Sequence, residues 1–146
     1  MRLLSVRSAA AGLALTLAGA CYAEPVSYSI DPNHTWTIWE ARHMGTSTYR
    51  GRFDRKEGSV TIDRAAKTGH AEITIDLASV DTGVAALDKH LKSKDFFDVE
   101  QFGQARFVGD KFTFDGDRVA AVEGSLTLHG QTQSVTLKAS GFNCYV

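Results

Sequence analysis

Ala71-Glu72-Ile73-Thr74-Ile75-Asp76-Leu77 alternates apolar and polar residues without a break. A strand turns successive side chains to opposite faces, so this run places Ala71, Ile73, Ile75 and Leu77 on a dry face and Glu72, Thr74 and Asp76 on a wet one. The pattern recurs downstream. Val122, Leu126 and Leu128 share parity opposite Glu123, Ser125 and Thr127, and Val135, Leu137 and Ala139 oppose Ser134, Thr136 and Lys138. One-sided strands of this kind belong to antiparallel sheets, because strands of a parallel sheet are buried on both faces and read as continuous apolar runs. Turn signals stand between the runs at Lys56-Glu57-Gly58, Thr68-Gly69, Asp115-Gly116-Asp117 and His129-Gly130-Gln131. Their close spacing fits hairpins rather than the helical crossovers of a parallel sheet. Strands are predicted near residues 26–31, 35–43, 52–63, 70–78, 105–109, 111–115, 119–128 and 133–142, which makes the fold class all-β.

Residues 35–43 have distinguishable faces. Trp36, Ile38, Glu40 and Arg42 share one, and the two charges turn it to water; Thr37, Trp39, Ala41 and His43 share the other, which points inward. A wet Trp36 then lies on an outer surface, where a second subunit could cover it. The two-fold period breaks at 79–98. Asp81 or Thr82 is placed to cap a helix on which Val84, Leu87 and Leu91 fall on one face, with Lys89 and Lys92 turned away and Phe96-Phe97 ending the element.

The first 23 residues read as a cleaved leader. Arg2 and Arg7 make a basic start, residues 9–20 are apolar, and Cys21-Tyr22-Ala23 is a small-x-small signal before Glu24. A lipoprotein reading of Cys21 competes, but Ala18 stands where a larger aliphatic residue is the rule. Cleavage is expected after Ala23, with export to a bacterial periplasm. The apolar run falls short of the roughly 20 residues that cross a bilayer as a helix. Residues 24–146 then form one domain. Losing two arginines moves the formal charge from −1 to about −3. Scattered lysines and arginines form no basic stripe, so nucleic acid is not an expected partner. Of two cysteines, Cys144 alone would remain after cleavage. An odd cysteine in an exported chain points to a lost disulfide partner or a reactive thiol. With the apolar ending 141–146, it leads us to expect a truncated C-terminus.

Chemistry-bearing motifs are sparse. All five histidines (His34, His43, His70, His90, His129) lie outside the leader, yet none shows H-x-H or H-E-x-x-H spacing, so no metal is expected. No G-x-S-x-G elbow occurs, and Ser125 lies within a regular strand pattern. Asp76, Asp81, Asp88, Asp95 and Asp98 read better as caps and solvated groups than as an acid–base pair. Gly45, Gly51 and Gly58 are spread out rather than gathered ahead of a helix, against a phosphate site. The reading is therefore a non-enzyme without a cofactor. A small antiparallel sheet of about eight strands tends to close into a barrel, filled either by side chains or by one lipophilic ligand.

Tyr28-x-Ile30-Asp31-x-x-His34-Thr35, His43-Met44-Gly45, Gly51-x-Phe53, Ser79-Val80-x-Thr82-Gly83, Asp88-x-His90-Leu91-Lys92-Ser93-x-Asp95-Phe96-Phe97-Asp98 and Gly124-x-Leu126-Thr127-Leu128-x-Gly130 occur in that order. Together they resemble the YceI-like polyisoprenoid-binding family, with the His90–Asp98 stretch the most specific element. The resemblance implies a periplasmic, lipocalin-like antiparallel β-barrel with a short helical insertion. Its lumen would hold an isoprenoid lipid, such as a polyprenyl quinone or its precursor, and similar proteins are often homodimers. No catalytic residue carries over. The lumen lining expected from position and parity begins with Trp39, Ala41, Phe53, Val60, Ile62, Ile73, Ile75 and Leu77. It continues with Leu91, Phe96, Phe97, Phe107, Phe112 and Phe114, and ends with Leu126, Leu128, Val135 and Leu137. Two departures stand out. Phe102-Gly103-Gln104 replaces a segment that commonly carries proline, which predicts a looser loop, and the family continues with further strand where this chain stops. Two other readings stay open: an enzyme on a lipophilic substrate using His43 or His90 as acid or base, and a ligand-free interaction module using Trp36 or a sheet edge.

Overall fold

The computed structural model describes residues 24–141. The expected leader (1–23), its Cys21, and Cys144 lie outside the described residues. Nine strands form two antiparallel sheets. In chain order they are β1 (Val26–Ser29), β2 (Thr37–His43), β3 (Ser47–Phe53), β4 (Lys56–Asp63), β5 (Thr68–Asp76), β6 (Val80–Asp81), β7 (Gln104–Asp115), β8 (Arg118–Leu128) and β9 (Gln131–Lys138). A six-stranded sheet runs β1-β4-β5-β7-β8-β9, and a smaller one runs β2-β3-β6. One helix, α1 (Ala85–Lys92), interrupts the strands. The fold is the expected all-β antiparallel one with a short helical insertion, but no hydrogen-bonded ladder joins the two sheets among the described residues.

Register shows why one face of the large sheet is apolar. Directly paired residues share a face, and Tyr28↔Val60↔Ala71↔Gly109↔Gly124↔Val135 forms one unbroken row. Ile73↔Phe107↔Leu126 and Phe112↔Val122↔Leu137 run beside it. The opposite face is polar: Arg106 donates to Glu72 at 2.7 and 3.0 Å, Lys111 to Glu123 at 2.6 Å, and the hydroxyls of Ser27 and Thr61 meet at 2.7 Å.

Several boundaries differ from the sequence reading. The run expected over 52–63 is two strands, because the chain bends at Asp54 and Arg55, where Arg55 N–H donates to Ser79 Oγ. Lys56-Glu57-Gly58 is therefore strand rather than turn. The runs expected at 105–109 and 111–115 are one strand with Asp110 as an extra residue between Gly109↔Gly124 and Lys111↔Glu123. This β-bulge restores Phe112 and Phe114 to the face of Phe107.

The helix cap also differs. Val84, in extended conformation, precedes the first helical residue, so it is exposed rather than packed with Leu87 and Leu91. Neither Asp81 nor Thr82 caps α1. Instead Asp88 Oδ1 accepts from both the N–H (2.8 Å) and the hydroxyl (2.6 Å) of Thr82, tying the helix back to β6. The 102–104 loop is held by backbone bonds: Leu77 N–H donates to Gly103 O and Phe102 N–H to Asp98 O.

Candidate functional site

α1 and the small sheet cover one end of the apolar face. There Phe53, Leu77, Val80, Leu91 and Ala105 form a buried cluster, and Trp39, Ile75, Leu87, Phe97, Val99 and Leu128 pack against it. Leu77 is 1% exposed. Phe97 meets Phe53 edge to face at 5.6 Å, and its N–H donates to Leu91 O, which fixes the turn after the helix. Away from this cover the face opens. Val60, Ile73, Phe112, Phe114, Leu126 and Val135 are half-buried, and exposure rises to 39% at Tyr28, 45% at Leu137 and 50% at Val26.

Two aromatic rings, Phe107 and Phe112, lie along this surface instead of standing up from it, and Trp39 lies flat in the same way on the small sheet. Each rests on a glycine of its own or a neighbouring strand. A Cβ at Gly109 would come 2.9 Å from the Phe107 ring, and one at Gly124 2.8 Å from it. Gly69 gives Phe112 the same room, and Gly51 gives it to Trp39. Flat rings leave depth above the sheet, so an apolar trough forms, closed at the helix end and open at the other.

The predicted lining residues divide accordingly. Phe53, Leu77, Leu91 and Phe97 belong to the buried cluster and its border, with Trp39, Ile75 and Leu128 at its edge. Val60, Ile62, Ile73, Phe107, Phe112, Phe114, Leu126, Val135 and Leu137 share the apolar face of the large sheet. Ala41 and Phe96 stand apart. Ala41, opposite Tyr49, is exposed near the tip of the β2–β3 hairpin, beyond the covered end. Phe96 is 49% exposed and packs against His90 at 4.8 Å, because Phe97 takes the inward direction at that turn. Sequence reasoning missed Val26, Tyr28 and Val122 on the same face, and the glycines beneath the rings. Val122 shows the right parity in sequence; β1 is too short for its parity to tell.

Most polar groups lie elsewhere, although Lys56 shares the apolar face opposite Ile75 at the covered end. A cleft of about 370 Å³ is lined by Pro32, Asp54, Arg55, Lys56, Glu57, Thr74, Asp76 and Gln104, and its Arg55 and Asp76 already pair at 2.7 Å. Lys56 is 7% exposed, donates to Asp54 O at 3.1 Å and lies 5.2 Å from the Trp36 ring, which Arg52 also approaches at 5.1 Å. Trp36 itself is 55% exposed. His43, against Tyr49, and His90, against Phe96, are both exposed, so neither imidazole sits in a desolvated site. Asp31 and Asp117 are held below the usual carboxylate range, Asp31 by a hydrogen bond with His34 and Asp117 by one from Lys67. Both belong to exposed turns away from the apolar face. Among the described residues, no three His, Cys, Asp or Glu side chains group as a metal site, and no helix is long and apolar enough to cross a membrane.

A family model described as the YceI-like domain matches residues 28–145. The chain belongs to the YceI-like family. A UPF0312 protein of Pseudomonas putida (strain W619) is 38% identical over 133 residues, covering 90% of this chain and 69% of that protein. The crystal structure of Burkholderia cenocepacia BcnA superposes with a TM-score of 0.66 at 29% identity, over 73% of this chain and 67% of that one. A polyisoprenoid binding domain from Saccharophagus degradans, implicated in plant cell wall breakdown, shares the fold with a TM-score of 0.51 at 20% identity, over 69% of this chain and 58% of that one.

Proposed function

We propose that this chain is a non-enzymatic, periplasmic binding or carrier protein for a polyisoprenoid lipid, a polyprenyl quinone or its precursor. The observation that carries the reading is the trough: six strands present apolar side chains on one face that is covered at the helix end and elsewhere, apart from the buried Ile62, Ala71 and Phe107, only half-buried or exposed. A packed core has no reason to leave that much apolar surface wet, and contiguous exposed apolar area marks a binding site. An isoprenoid suits it because a branched hydrocarbon needs length and dryness rather than charge. Each buried methylene contributes about 0.8 kcal/mol, so a chain of several units binds without an ionic anchor. The ligand class comes from the resemblance carried by the His90–Asp98 element. The S. degradans domain, alike in fold alone, is named for the same class of ligand. Export rests on the leader-like residues 1–23, and a homodimer on the family resemblance together with the exposed Trp36 and Ile38.

The test is native mass spectrometry of the exported protein, with organic extraction of what it carries. Co-purified isoprenoid, or uptake of added polyprenyl quinone, is the expected result. A protein that emerges empty and takes up no quinone removes the carrier reading and leaves an interaction module in its place.

A further inference from the structure

Trp39 pairs with Gly51 across β2 and β3, and its indole lies directly on that glycine: a Cβ there would come 2.5 Å from Cζ2 and 2.9 Å from Nε1. The ring packs against the buried cluster at the covered end of the trough. Its Nε1 is buried and finds no acceptor among the described residues. An indole N–H only donates, so burying it unpaired forfeits its hydration for nothing in return. Buried polar groups are nearly always partnered, and one that is not needs a reason. The cluster packed against the ring, Phe53, Leu77, Val80, Leu91 and Ala105, offers it no acceptor, and Lys56, buried on the same face opposite Ile75, already donates to Asp54 O and lies beside the Trp36 ring. The cluster would receive a neutral oxygen far more readily than a phosphate, whose charge would have to be stripped of water there.

We propose that Trp39 Nε1–H is the polar anchor of the trough, donating to a neutral oxygen acceptor, a ring carbonyl or an ester or amide oxygen, on the head of the bound lipid. The head then lies at the helix-covered end and the hydrocarbon tail runs toward Tyr28 and Leu137. The Trp39 side chain as a whole is half-buried, and Gly51 has no side chain to stop a small swing that presents the N–H to the trough. This inference rests on the lipid-binding reading and adds to it a direction of entry and a preference among head groups.

The experiment compares a polyprenyl benzoquinone with a polyprene hydrocarbon of matched chain length, each titrated into the full chain and into Trp39→Phe by calorimetry in dilute detergent. The quinone is expected to bind Trp39→Phe about tenfold more weakly than the unsubstituted chain, and the hydrocarbon to lose distinctly less than that. In the unsubstituted chain, the indole N–H proton resonance of Trp39 should move downfield with the quinone and stay in place with the hydrocarbon. That second readout decides the matter if Trp39→Phe fails to fold. Equal losses for both ligands, no loss for either, or a resonance that treats them alike overturns the anchor while leaving lipid binding intact. If neither ligand binds the unsubstituted chain, the lipid reading fails and the anchor with it.

Discussion

The two ends of the trough are built from the same alternating residues and differ in what covers them. At the helix end, Phe53, Leu77, Leu91 and Ala105 are each less than a tenth exposed; at the other, Val26, Tyr28 and Leu137 continue the same face with 39–50% of their surface open. Strand parity alone therefore does not separate core from site. The difference is made by one eight-residue helix and a three-stranded sheet laid across one end. Stability should concentrate under that cover and binding beyond it.

Leu77→Ala should break the comparison most visibly. It removes the most buried side chain of the cluster and is expected to cost about 2–5 kcal/mol in urea unfolding, as large-to-small core changes do. Leu137→Ala, at the open end, should stay within about 0.5 kcal/mol of the unsubstituted chain. Its effect should appear instead as weaker lipid uptake. Similar stability losses for the two would show that the open end is core after all.

Gly109→Ala sharpens the picture at intermediate size. Its Cβ would meet Val122 Cγ1 at 2.5 Å and push the Phe107 ring off the sheet into the trough. A stability loss of about 1–3 kcal/mol is expected from overpacking. Lipid uptake should fall more than it does for Leu137→Ala, measured by extraction of the purified protein.

The turn after α1 offers a finer contrast. Phe97→Ala loses the ring contact with Phe53 and is expected to destabilise by about 3 kcal/mol, the low end for a buried phenylalanine. Phe96→Ala, on the exposed side, should shift stability by no more than about 0.5 kcal/mol in the same assay.

The smallest effect is on pH dependence. The folded-state pKa of Asp31 lies below the ordinary 3.8 because of its bond with His34, so the pair's contribution is present above that value and is lost as pH falls through the depressed one. Asp31 is fully exposed, and water screens the pair. An NMR titration should find its carboxyl returning toward 3.8 in His34→Ala, with little change in unfolding midpoint at neutral pH.

Legibility in the sequence followed one-sidedness. β5 reads cleanly at Ala71–Asp76 because one face is dry and the other charged. β3 was missed over residues 47–51 because its inward positions there are Ser47, Tyr49 and Gly51, too small or too polar to alternate visibly against Thr48 and Arg50. Phe107 and Phe112 are an odd number apart, so sequence alone splits β7 in two, and only the bulge at Asp110 reunites them. Most of the predicted lining does share the trough face or its covered end. Ala41 and Phe96 depart because strand parity and proximity to a helix say nothing about where the cover stops. The glycines under the rings carried no apolar signal, since their role is to leave space for a neighbour.

The bulge at Asp110 has a bearing on how this sheet can change over time. It acts as a phase shifter: residues before it are read in odd numbers, residues after it in even ones, and the two halves of β7 agree only because the residue between them is set aside from the alternation. Drawing Asp110 into a regular strand would invert Phe112 and Phe114 to the charged side with every side chain chemically unaltered, whereas loss of that single codon would leave both rings on the apolar face of an unbulged strand. What keeps the open half of the trough greasy is thus where the backbone bulges, and an alignment that scores only residue similarity would pass over it.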